Sequence, residues 1–234
     1  MSTVCEQSAL AFTPGCAQKG AVDTEKAHVE VRAPRLFNGA AVLWINLYGL
    51  VLAVPFLVSV AWVSFRPLGP STFLIPVLFF AGLTYCLPIG LGNLHVRKIV
   101  RRINPVERRA DDYVVQLILR PRRRSGFWAM MEDADDVGWL RLSEGHLVFE
   151  GDSVTLRIPF CEIRSVIQSN VGWRGMFLYG ARVAVSVPLP GAGDGFEIAD
   201  RSSMFLPQSR RIMMDLHRKL AEAVQSADKI GKTV

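Results

Sequence analysis

Residues 138–159 read GWLRLSEGHLVFEGDSVTLRIP, which divides into three short strands and two turns. Trp139 to Leu142 and His146 to Glu150 are separated by Ser143-Glu144-Gly145, a hairpin signal, and Gly151-Asp152-Ser153 makes the next turn. In Val154 to Pro159, Val154, Leu156 and Ile158 share one face while Thr155 and Arg157 share the other. A period of two between glycine-bearing turns specifies antiparallel strands with one face in a core.

The pattern continues on both sides. Tyr113 to Arg120 (YVVQLILR) is β-rich and stops at Pro121, and further strands are expected at Cys161 to Gln168, Met176 to Val187, Gly195 to Ala199 and Ser203 to Leu206. A polar insertion from Arg122 to Val137 lengthens the first hairpin. After Pro207 the period changes: Ile212, Met213, Leu216, Leu220, Ala223 and Val224 mark one face of an amphipathic helix over residues 209–226, with Ser209 as N-cap. Residues 110–226 are therefore expected to form an antiparallel β-barrel or sandwich capped by a C-terminal helix, an α+β domain.

Upstream the chain is apolar. No acid, lysine or arginine falls between Arg35 and Arg66, nor between Arg66 and Arg97. Each run is long enough for a helix to cross a bilayer, so residues 36–103 are expected to form a two-helix transmembrane hairpin turning at Arg66-Pro67-Leu68-Gly69-Pro70-Ser71. Pro55 is the expected kink, and Trp44, Tyr48 and Trp62 sit where interfacial aromatics belong. Lys26, Arg32 and Arg35 precede the hairpin and Arg97, Lys98, Arg101 and Arg102 follow it. The positive-inside rule then puts both termini in the cytoplasm, and the chain is expected to be an integral protein of the inner (plasma) membrane. Residues 1–35 are small, polar and mixed in charge, and are expected to be a disordered cytoplasmic tail with at most a helical turn around Asp23 to Val31.

The charge is +6 and mean hydropathy +0.25. Ten of the basic residues lie between Arg97 and Arg124 against three acids, leaving the rest of the chain near −1. A basic excess confined to that stretch argues for topology or anionic lipid rather than nucleic acid. Cys5, Cys16, Cys86 and Cys161 are too scattered for a zinc site or a disulfide framework. His28, His95, His146 and His217 stand at no recognisable catalytic spacing, so neither enzyme, cofactor nor metal is expected.

The stretch GWLRLSEGHLVFEGDSVTLRIPFCEIRSV, with the order of many short antiparallel strands closed by one helix, resembles the bacterial PH-like and GRAM-like domains. The resemblance covers Tyr113 to Val224 and is one of pattern. It implies a non-enzymatic binding module, here membrane-anchored, presenting a protein- or anionic-lipid-recognition surface at the cytoplasmic face. The alternative is an accessory subunit of a larger membrane complex that makes its contacts through the helices.

Two candidate sites follow. Arg120, Arg122, Arg123 and Arg124, where the resemblance implies headgroup-binding cations, join Arg97, Lys98, Arg101 and Arg102 as a basic patch for anionic lipid headgroups; a solvated topology signal is the alternative. Trp173, Arg174, Phe177 and Tyr179, set between glycines, form a candidate loop for contact with bilayer or a membrane protein; aromatics covering the core are the alternative. Glu132, Asp133, Asp135 and Asp136 match no calcium-loop spacing and are expected to lie against the arginine run.

Overall fold

The computed structural model describes residues 26–47, 58, 61, 92–103, 112–119, 134–143, 145–169, 181–189 and 193–233. Its framework is one curled antiparallel sheet of eight strands: β1 (His28–Val31), β2 (Tyr113–Ile118), β3 (Asp136–Ser143), β4 (His146–Gly151), β5 (Val154–Pro159), β6 (Ser165–Ser169), β7 (Arg182–Leu189) and β8 (Gly193–Asp200). Spatial order is β1-β5-β4-β3-β2-β8-β7-β6. Two consecutive meanders, β2 to β5 and β6 to β8, thus meet where Gln116 of β2 pairs with Ala199 of β8. The expected closed barrel or sandwich is corrected to an open half-barrel with β1 and β6 as its edges.

Alternation decides which face is buried. Val115, Leu117, Leu140, Leu147, Phe149, Leu156, Ile158, Val183, Val185, Phe196 and Ile198 fill the concave side. Against them lie Met213, Leu216, Leu220 and Val224 of α3 (Leu206–Thr233), all buried. Each such side chain taken fully out of water contributes about 1.5–3 kcal/mol. Helix α3 starts earlier than expected: the predicted N-cap Ser209 is inside it, donating its N–H to Phe205 O, and the strand expected at Ser203 to Leu206 is absent. Gly145 takes φ +78 in the β3–β4 turn, a conformation that favours glycine. Gly138 and Gly151 face each other across β3 and β4 so closely that a Cβ on either would strike the opposite strand or Asp136.

Two helical segments cover the sheet's other face: α1 (39–47) and α2 (92–103), with residues 58 and 61 also helical. Asn38 caps α1 by accepting the Ala41 N–H at 3.1 Å. Phe37, just before α1, and Ala41 and Ile45 of α1 pack with Val96, Ile99 and Val100 of α2, and both segments rest on Val114 of β2 and Val137 of β3.

This arrangement overturns the expected two-helix transmembrane hairpin over 36–103. Among the described residues no helix is long and apolar enough to cross a membrane. The described ends of that stretch bury their apolar faces on the sheet instead of in lipid. The placement as an integral inner-membrane protein, which rested on the hairpin, is corrected with it. Residues 48–57, 59–60 and 62–91, including the expected kink at Pro55 and the turn at 66–71, lie outside the described residues. Farther upstream, His28–Val31 is a strand paired with β5, not the helical turn expected there; residues 1–25 lie outside the described part.

Candidate functional site

Carboxylates in the turns set the position of the helical layer. The Asp152 side chain, in the β4–β5 turn, accepts the N–H groups of Arg35, Leu36 and Phe37 at 2.7, 2.6 and 2.8 Å. This fixes the chain just before Asn38, the N-cap of α1, and so sets the entry to that helix. Beneath the same turn, Asp136 is fully buried. Its Oδ1 accepts Val137 N at 2.8 Å and Asp152 N at 3.2 Å, and its Oδ2 accepts Ser153 N at 2.8 Å and Val154 N at 2.6 Å. Burial pushes this carboxyl above the usual range, and the four N–H donors oppose the rise.

Helix α2 is held by a buried polar group. Arg201, at the end of β8, donates through Nε at 2.7 Å and through Nη2 to Gln116 Oε1, and through Nη1 to Asn93 Oδ1 at 3.1 Å. Asn93 in turn donates to Ser203 O at 2.6 Å. At the start of β2, Asp112 and Arg141 form a two-pronged ion pair at 2.7 and 3.0 Å. Nearby, Tyr113 donates to Asp215 at 3.2 Å and accepts from Lys219 at 3.0 Å, tying α3 to β2. Lys219 is held above the ordinary lysine range by that tyrosine oxygen and then by Asp215; Asp215 is held below the carboxylate range by Arg218 and then by Lys219.

With one face of α2 fixed on the sheet, its other face is defined. Lys98, Arg101 and Arg102 are exposed and Arg97 is half-buried, opposite Val96, Ile99 and Val100. Among the described residues no carboxylate forms an ion pair with any of these four cations. His95, one turn away, is lowered from the usual histidine value by burial and then by the Lys98 charge. The structure thus collects Arg97, Lys98, Arg101 and Arg102 on one short helix. Arg120, Arg122, Arg123 and Arg124, and the loop with Trp173, Arg174, Phe177 and Tyr179, lie outside the described residues.

A second feature is a hollow of about 420 Å³ on the outer face of β6 to β8, bordered by Leu119, Ile167, Ala184, Ser186, Gly195 and Glu197. Glu197 at its edge is paired with Arg182 at 2.9 Å. Among the described residues no group of histidine, cysteine and acidic side chains could hold a metal ion. Asp136, one of the acids weighed beside the arginine run, instead spends both oxygens on backbone N–H groups.

The α2 cations were legible in the sequence, but the backbone-binding roles of Asp136 and Asp152 and the place of Asn93 were not. A signal existed for Asp152: Gly-Asp-Ser is a turn in which aspartate favours backbone partners. Its acceptance of N–H groups more than a hundred residues upstream was not legible. No protein-family model, curated protein or solved structure matches the chain.

Proposed function

We propose that this chain is a non-enzymatic PH-like binding module that recognises anionic lipid headgroups through the cationic face of α2. The observation that carries the reading is Lys98, Arg101 and Arg102, exposed on one short helix without a carboxylate partner among the described residues. Exposed cations on a helix fixed from behind are a preorganised site for phosphate-bearing groups, at about 1 kcal/mol per basic residue near an anionic surface. The PH-like part of the reading is supported by two meanders of four and three strands, β2 to β5 and β6 to β8, followed by one helix. Protein recognition has no comparable observation behind it.

The test is sedimentation of the full-length chain with preformed vesicles of phosphatidylcholine alone or mixed with phosphatidylserine. Binding is expected only with the anionic lipid, weakening with salt as exposed charges are screened. Replacing Lys98, Arg101 and Arg102 by glutamate is expected to lower affinity by about a hundredfold or more. Equal binding to both vesicles, or no effect of charge reversal, would remove the reading.

A further inference from the structure

The outward side of the helical layer also carries apolar groups that headgroup recognition does not use. Leu43 and Trp44 of α1 and Leu94 of α2 are 54%, 53% and 39% exposed. They are not scattered. The two helices meet where a Cβ on Gly92 would stand 3.7 Å from Ile45 Cγ2, and all three exposed residues lie within two positions of that contact. On α2, Leu94, Lys98 and Arg101 fall at i, i+4 and i+7, one stripe along the helix. With a rise of about 1.5 Å per residue, Lys98 to Arg102 stand about 6–12 Å along the axis from Leu94.

That offset overlaps the depth, about 5–10 Å, to which the apolar face of an interfacial helix sinks into the boundary between headgroups and acyl chains. The geometry points to an end-on docking mode: α1 and α2 meet an anionic lipid surface with Leu43, Trp44 and Leu94 buried among the outer acyl segments and Lys98, Arg101 and Arg102 level with the headgroups. Tryptophan suits this boundary, having an apolar body and a polar N–H. Charge selects lipid over a second copy of the chain. Residues 39–47 and 92–103 contain no carboxylate, so two copies meeting through this face would set cations against cations. The inference rests on the headgroup reading and adds the depth and direction of approach to it.

The experiment uses the full-length chain, phosphatidylserine-containing vesicles, and two salt concentrations, one near physiological and one several times higher. Wild type is expected to keep part of its binding at high salt, because apolar burial is not screened. A Leu43→Ser/Trp44→Ser/Leu94→Ser variant is expected to bind tenfold or more weaker than wild type at both salt concentrations, and so to show little binding at high salt where the charge contribution is screened. Lipids brominated near the headgroup are expected to quench wild-type tryptophan fluorescence more than that of Trp44→Phe, a milder variant that keeps the test available should the triple variant fail to fold. Equal affinity of the triple variant and wild type at both salt concentrations, together with identical quenching, would overturn end-on docking while leaving headgroup recognition standing. No binding by wild type would remove both. A change from dimer to monomer in the triple variant would assign the face to a second copy and overturn the inference.

Discussion

Replacing Asp136 by asparagine keeps the shape of the side chain and changes one oxygen to an amino group. The carboxylate meets four backbone N–H groups, two at each oxygen, at 2.6–3.2 Å. Whichever way the amide turns, its NH2 faces two donors and can accept from neither. The favoured orientation keeps oxygen on the Ser153 and Val154 side, where the contacts are 2.8 and 2.6 Å, and leaves the N–H groups of Val137 and Asp152 without an acceptor. A buried donor left unsatisfied costs about 1–3 kcal/mol, so two cost about 2–6. Burial already disfavours the charged carboxyl, and removing that charge returns part of the loss, which leaves a net cost of about 2–4 kcal/mol. For a chain of this size that lowers Tm by about 4–16 °C. Urea unfolding followed by far-UV circular dichroism gives the free energy, and a thermal scan gives Tm. A cost under about 1 kcal/mol would refute the view that Asp136 organises the turn through its four acceptor contacts.

Gly151→Ala places a methyl group against Asp136 and the Phe149 ring, and is expected to cost about 1–3 kcal/mol in the same urea measurement. Arg141→Met removes the two-pronged partner of the buried Asp112 carboxylate, whose side chain is 3% exposed; a loss of about 3 kcal/mol is expected, shrinking when Asp112→Asn is added in a double-mutant cycle. Leu216→Ala opens a cavity under α3 and should cost about 2–5 kcal/mol by chemical denaturation. Asp215, whose carboxyl is held below the ordinary value by Arg218 and Lys219, contributes stability above its unfolded pKa that is lost as pH falls through the lower folded value. Wild type should therefore melt above Asp215→Asn at neutral pH, and the gap should close on acidification below about pH 4.

The strand pattern of residues 146–159 was legible because each residue's face follows from its own position: Leu147 and Phe149, then Val154, Leu156 and Ile158, are buried as their alternation requires. The helical layer was not. In β2 the residues Val114, Val115, Gln116, Leu117 and Ile118 are all buried, so something covers both faces of that strand. A near-continuous apolar run such as YVVQLI, interrupted only by Gln116, is the signal for two-sided cover, but it does not name what provides the cover. Equally, the apolar faces around Phe37–Ile45 and Val96–Val100 announce burial without saying whether lipid or protein receives them.

Period, turns and the basic run were properties of the sequence itself, since each depends on neighbours a few residues away. The pairing of β1 with β5, the meeting of β2 with β8, the grip of Asp152 on residues 35–37 and the seating of α1 and α2 on Val114 and Val137 were decided only by the tertiary structure. Hydrophobic burial is non-directional: it makes an apolar face leave water but does not choose its partner. That choice comes from buried donors and acceptors that must find one another across the fold, as Asn93, Arg201 and Gln116 do here.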